Sequence, residues 1–364
     1  MEELFGLSNV EAMLFQRAAE KQVPIYGGFE LTPYCNLSCK MCYVHETKPG
    51  LSLLRAEKWL DFGRQAVEAG TLCIVLTGGE PLLHPDFKEI YLGLKKLGIV
   101  LTVNTNATCI DEKMADFFAE HMPRRLNISL YGADAETYQS LCGDGRAFEK
   151  TLRAIELLKE RHVPVKINLA PNVISYPHLD EMLALCERYD LTVEMTAYLF
   201  EPLRKSDAKQ QLYRLEPEQM AAATLKWHNY RYAPEYMQMR AKACKEGLET
   251  FEESRKAEGM TKLRCRAGSS AFWICWDGKM NACVNMIRPQ ADIEILGFKG
   301  AWELTKAEAE SIRVPAKCSS CSLRQFCLTC AAVGFHQNGV FDKIPEIMCT
   351  STECYAKMLA QTVK

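Results

Sequence analysis

Short apolar runs alternate with longer segments whose apolar positions return every three or four residues over roughly the first 200 residues. The runs at about 24–32, 72–77, 99–105, 126–131, 164–170 and 192–199 read as strands. The segments at about 53–69, 85–97, 111–121, 134–141, 147–161 and 178–189 read as helices with one apolar face. Strict alternation of the two predicts repeated βα units and a parallel sheet. Six such units fall short of the eight that close a full TIM barrel. The expected fold is therefore α/β, a partial (βα)6 TIM-like barrel.

Parallel α/β folds bind ligands at the carboxyl ends of their strands. In this chain those ends carry Cys35 to Cys42, Gly78 to Glu80, Asn104 and Asn106, Ser129 and Asn168. Cys35, Cys39 and Cys42 stand in the spacing Cys-x3-Cys-x2-Cys. Three thiolates are one short of the four that a cubane iron-sulfur cluster takes, which leaves one iron open to an external molecule. Zinc is the competing reading, although zinc normally uses Cys-x2-Cys pairs and a fourth protein ligand. The run from Cys73 to Thr77 ends in Gly78-Gly79-Glu80, and glycines at a strand end let backbone approach a ligand closely.

Composition adds a second module. A chain of 364 residues buries one large core and a smaller one. The expected division is an N-terminal extension at 1–23, the barrel at 24–200, a polar helical bridge at 201–262 and a cysteine-rich domain at 263–364. Formal net charge is −2, so neither nucleic acid nor an anionic membrane is an expected partner. No basic amino-terminal segment or membrane-length apolar run is present, and the clustered spacings among the 17 cysteines then point to metal ligation in a reducing compartment. The expected location is cytoplasmic.

Beyond residue 260 the chain shows Cys265-x12-Gly278-x4-Cys283, then Cys318-x2-Cys321-x5-Cys327-x2-Cys330, then Cys349. Between the first two cysteines, 271–280 reads as a β-hairpin with an Asp-Gly turn. A zinc ribbon is the competing reading of Cys318 to Cys330. Cys73, Cys109, Cys186 and Cys354 read as small buried hydrophobes. Cys142 lies in a glycine-rich loop expected at the barrel mouth. His45, His84 and His178 show no paired metal spacing and read as structural or surface groups.

The amino-terminal motif, with Tyr43 after its last cysteine and the Gly-Gly-Glu segment downstream, resembles the radical S-adenosylmethionine (radical SAM) superfamily. The carboxy-terminal cysteines resemble the SPASM extension, a module with auxiliary 4Fe-4S clusters found in peptide-modifying members. The resemblance implies that SAM chelates the open iron through its amino and carboxylate groups. It also implies that Gly78, Gly79 and Glu80 receive the SAM amino group, and that Asn104, Asn106, Ser129 and Asn168 contact the rest of the molecule. Many members place an arginine after the fourth strand, where Arg146 is the candidate, and at the barrel mouth the Cys142 thiol would donate a hydrogen atom to a substrate radical. Three 4Fe-4S clusters are implied: one at Cys35/Cys39/Cys42, one closed by Cys318, Cys321, Cys327 and Cys349, and one on Cys265, Cys283 and Cys330. The last set is again one ligand short, with Cys244, Cys275, a substrate group or solvent to fill it.

The implied activity is reductive cleavage of SAM to a 5′-deoxyadenosyl radical that modifies a ribosomally made peptide by thioether or carbon-carbon cross-linking or by epimerisation. Alternatives are a sulfatase-maturase-like enzyme, a radical SAM enzyme acting on a small molecule or cofactor precursor, and a non-catalytic multicluster electron carrier. Val284-Asn285 stands where sulfatase maturases carry an acid, which lowers the first alternative. Expected partners are the peptide, a reductant such as flavodoxin or ferredoxin, and a separate leader-peptide recognition protein.

Overall fold

The computed structural model describes residues 9–44, 50–200, 213–263, 265–327 and 330–363. The first residues of the expected extension, residues 201–212 of the expected bridge, and His45 lie outside this set. Helices of eight residues or more are labelled in chain order.

Helix α1 (Asn9–Glu20) precedes six βα units: β1 (Tyr26–Glu30), α2 (Ala56–Glu68), β2 (Cys73–Thr77), α3 (Phe87–Lys96), β3 (Val100–Thr105), α4 (Glu112–Glu120) and β4 (Arg125–Ser129). They continue as α5 (Ala135–Cys142), α6 (Arg146–Glu160), β5 (Val165–Leu169), α7 (Leu179–Arg188) and β6 (Thr192–Met195). The six strands pair in parallel and in sequence order, so the fold is the expected partial barrel. Side-chain oxygens cap two of its helices, Asp111 on α4 and Asp134 on α5. Between sheet and helices lies one aromatic-rich core that includes Phe29, Trp59, Phe62, Tyr91 and Phe118.

Helices α8 (Pro217–Arg231) and α9 (Pro234–Glu249) follow, then β7 (Met260–Lys262), β8 (Ala271–Ile274), β9 (Lys279–Asn281) and β10 (Gln290–Asp292). The chain ends with α10 (Ile293–Ser311), β11 (Arg313–Pro315), α11 (Ala331–Asn338) and α12 (Glu346–Ala360). The hairpin forms as the Asp-Gly signal predicts. Trp273 opposes Asn281, Gly278 N donates to Cys275 O at 2.9 Å, and Gly278 takes φ +80°.

The hairpin also enlarges the main sheet. β8 pairs in parallel with β1, giving the order β10-β9-β8-β1-β2-β3-β4-β5-β6. Gly27 and Gly28 make this possible, since a Cβ at either would lie 2.2 Å from the Phe272 ring or 2.0 Å from the Trp273 ring. The Trp273 indole N–H then donates to the fully buried Glu30 at 3.2 Å.

The bridge helices pack against α12. Ala221, Cys244, Leu323, Tyr355 and Leu359 form a separate core there. Within it the His228 ring contacts the Tyr355 hydroxyl at 2.7 Å, and burial pulls the imidazole down to about 3, with Arg240 and Arg231 adding to the effect.

Candidate functional site

The chain leaves β1 through Thr32, Pro33 and Tyr34 and reaches Cys35 after crossing the end of β2. Gly79 N donates to Thr32 O at 2.7 Å and Glu80 N to Tyr34 O at 2.8 Å. A Cβ on Gly78 would sit 2.4 Å from Thr32 O, and one on Gly79 would sit 2.3 Å from Tyr34 O. The two glycines therefore admit the backbone that carries the cysteines as well as facing the cavity.

That cavity, about 430 Å3, is lined by Cys35, Cys39 and Cys42 together with Gly78, Gly79, Asn104, Asn106, Ser129 and Asn168. Burial pushes the Cys35 thiol up to about 12; Glu80, Cys39 and Cys42 add to the rise, while the Leu37 N–H opposes it. Asn106 Nδ2 lies 3.6 Å from Cys35 Sγ, and Leu37 N lies 3.4 Å from it. Cys39 is held well above the usual thiol range, first by a hydrogen bond with Cys142 and then by burial. Three thiols in the wall of one cavity are a donor set that fits an iron-sulfur group. A further polar atom in the same wall, Asn168 Oδ1, is buried without a protein partner, as a ligand contact requires. Among the described residues no three Cys, His, Asp or Glu side chains converge on a single-ion site.

Three expected site residues do not reach the cavity. Glu80 is fully buried behind its wall, where it accepts from Thr105 Oγ1 at 2.8 Å, Asn106 N at 2.7 Å and Leu82 N at 3.2 Å. Burial raises its carboxyl to about 7 against those three donors. It braces the ends of β2 and β3 on which Gly79 and Asn106 sit. Arg146 lies at the surface at the start of α6 and pairs with Asp144 at 3.1 Å, because its helix points it away from the strand ends. Cys142 is 1% exposed and lies in the core beneath the Cys39 loop instead of in the mouth.

Other residues complete the wall. Tyr131 lines it just beyond the end of β4 and opposes the rise of the Cys39 thiol. Lys166 and Glu194 face each other at 3.8 Å, and Arg231 also pairs with Glu194 at 3.4 Å. Burial first and the Arg125 guanidinium second pull the Lys166 ammonium down to about 8, with Glu194 opposing. Period-2 polar positions in the fifth strand and at the end of the sixth, Lys166/Asn168 and Glu194 with Thr196 just beyond, are the signal that marks this inner face. Tyr198 and Phe200 line the outer wall, and Val284 and Asn285 reach the same cavity from beyond the hairpin.

Downstream, Cys283 and Cys330 pack against one buried cluster, and four other cysteines line a small pocket. Burial raises Cys283 to about 12, and Cys265 and Cys330 add to the rise. Burial likewise raises Cys349 to about 11, with Cys327, Cys318 and Cys321 adding and Arg255 opposing. Cys318, Cys321, Cys327 and Cys349 line one small pocket. Cys244 belongs to the helical core, away from Cys265, Cys283 and Cys330. Cys275 is buried with Val75 and Trp273 and receives the Asn281 amide at 3.2 Å.

Residues 29–184 match the family model of the radical SAM superfamily. Along its length it is 27% identical over 337 residues to the AdoMet-dependent heme synthase of Methanosarcina barkeri, covering 85% of this chain and 92% of that one. Its fold is similar to anSMEcpe with bound AdoMet, with TM-score 0.70 and 17% identity over 93% of this chain and 99% of that one. It is also similar to Streptococcus suis SuiB bound to AdoMet, with TM-score 0.66 and 17% identity over 93% of this chain and 81% of that one. No helix among the described residues is long and apolar enough to cross a membrane.

Proposed function

We propose that this protein is a radical SAM enzyme that modifies a peptide. One observation carries the reading: a single cavity is lined by the Cys35/Cys39/Cys42 triplet, by the polar strand ends of the barrel, and by Val284-Asn285 directly after Cys283. In this reading Cys35, Cys39 and Cys42 hold a 4Fe-4S cluster, and SAM lies along Gly78, Gly79, Asn104, Asn106, Ser129 and Asn168. When bound, these groups supply reductive cleavage of SAM to methionine and a 5′-deoxyadenosyl radical that takes a hydrogen atom from the substrate.

The chain's own residues orient and shield that chemistry. Glu80 holds the strand ends, Asn106 and the Leu37 N–H face the Cys35 sulfur, and Tyr131 and Cys142 face the Cys39 sulfur. Tyr198, Phe200 and Val284 line the wall with apolar surface that excludes water from the reacting carbon. Cys318/Cys321/Cys327/Cys349 and Cys265/Cys283/Cys330 are the proposed sites of two auxiliary clusters in a SPASM-type module. Electrons enter from a reductant such as flavodoxin or ferredoxin.

The peptide class is favoured by the charge of the wall. SuiB has been solved with its precursor peptide SuiA, and anSMEcpe with AdoMet and a peptide. Identity to heme synthases across 85% of the chain supports a second reading, action on a tetrapyrrole. Among the described residues, however, the cavity wall presents Lys166 as its cation, already paired with Glu194. Co-expression with short peptide genes from the same locus, followed by mass analysis, tests the choice. A change in peptide mass that depends on Cys39 supports it, whereas unmodified peptides together with turnover of a porphyrin precursor would replace it with the second reading.

A further inference from the structure

The barrel has a polar interior on the side formed by β3 to β6. One face of these strands, with Val103, Leu126, Ile128, Ile167 and Val193, packs into the core under the helices. The alternate positions Asn104, Arg125, Asn127, Lys166, Asn168 and Glu194 therefore face inward. Asn127 Nδ2 donates to Asn104 Oδ1 at 2.7 Å, yet Arg125 Nε, Asn127 Oδ1 and Asn168 Oδ1 are buried without a protein partner. Buried polar atoms are paired in nearly all native structures, so this interior is built to meet polar atoms from outside the chain.

The charges at these positions do not balance. Glu194 is held from α8 by the Arg231 guanidinium at 3.4 Å, which also donates to Val193 O at 3.1 Å. Lys166 stands 3.8 Å from the same carboxylate, beyond hydrogen-bond reach, and among the described residues its ammonium makes no hydrogen bond. Lowered only to about 8, that ammonium stays charged at neutral pH. Arg125 adds a third cation from a position deeper on β4, since Asn127 is the residue level with Lys166. Lys166 lines the cavity and sits two residues below Asn168, roughly 7 Å further from the strand ends. We propose that Lys166 is the substrate anchor on the cavity floor, its ammonium receiving one carboxylate of the peptide, from an Asp or Glu side chain or from a carboxyl terminus. A carboxylate offers this ammonium a counter-charge and acceptor oxygens, which an amide in the same place does not. The contact is non-covalent, and it rests on the reading of the substrate as a peptide.

The test is a selection from two pools of short randomised peptides, both acetylated at the amino end, one amidated and one free at the carboxyl end. Each pool is incubated at pH 7 with the full-length, anaerobically reconstituted protein and SAM, without reductant, and the retained peptides are sequenced by mass spectrometry. The wild type is expected to favour Asp or Glu over Asn or Gln in the amidated pool by about tenfold, the scale of one charged hydrogen bond. If the anchor takes a carboxyl terminus instead, the same preference separates the free pool from the amidated one. Lys166→Met is expected to abolish whichever preference the wild type shows. An equal preference in Lys166→Met, or no carboxylate preference in either pool, overturns the proposal; where methionine prevents folding, Lys166→Gln decides in the same way. Retention of no peptide above a protein-free blank overturns the peptide reading beneath it instead.

Discussion

Gly79 leaves no space for a methyl group, because the backbone of Tyr34 occupies it. Gly79→Ala is expected to push the cysteine loop outward and to cost about 1–3 kcal/mol of stability, the usual range for overpacking. A displacement of about 1 Å at a reacting site costs roughly a hundredfold in rate. Release of 5′-deoxyadenosine by this variant, measured beside its urea midpoint, should therefore fall far more than stability does. The cysteine triplet and the glycine pair were legible in the sequence because their spacing is local. Cys142 and Arg146 were misplaced because α5 and α6 decide which way those side chains point, and helix phase at a loop boundary is not local. Glu80 was legible as a site residue, but its burial behind three donors depends on β3 lying beside β2.

Element boundaries in the barrel were legible almost throughout, since each strand is a buried apolar run and each helix has one buried face. The parallel pairing of β8 with β1 was not. Its signal was Gly27-Gly28 inside a strand, a mark of close approach whose partner lies more than 240 residues away in sequence. Gly28→Val should force the Trp273 ring off β1, destabilise the protein by about 1–3 kcal/mol and expose the segment between α9 and β8 to protease. Limited proteolysis with mass mapping reads that outcome. At the contact of α8 with α12, His228 is buried with its imidazole lowered to about 3. The unfolded chain binds a proton near the ordinary histidine value of 6.5 while the folded chain does not, so the stability due to neutral His228 is present above pH 6.5. It is lost as pH falls toward 3, with a limiting slope of about 1.4 kcal/mol per pH unit. His228→Gln should flatten the decline in denaturant midpoint between pH 7.5 and 5.5, and an unchanged decline would contradict this assignment.

Across the whole molecule, one sheet runs from the barrel into the hairpin that precedes Cys283, and Val284-Asn285 reach the cavity that holds the first cysteine triplet. The two downstream groups predict separate losses of iron. Cys327→Ala should remove one cluster's share of the iron and Cys283→Ala another, each leaving the SAM-responsive EPR signal in place; loss of that signal from either variant would contradict the grouping. Cys35, Cys39 and Cys42 are proposed to form the site at which SAM is cleaved. Incubation of the reconstituted, dithionite-reduced protein with SAM, followed by chromatographic quantitation of 5′-deoxyadenosine, tests it most directly. Release is expected from the wild type and none above background from the Cys35/Cys39/Cys42 triple alanine variant. No release from wild type with its clusters intact, or equal release from the variant, would contradict it.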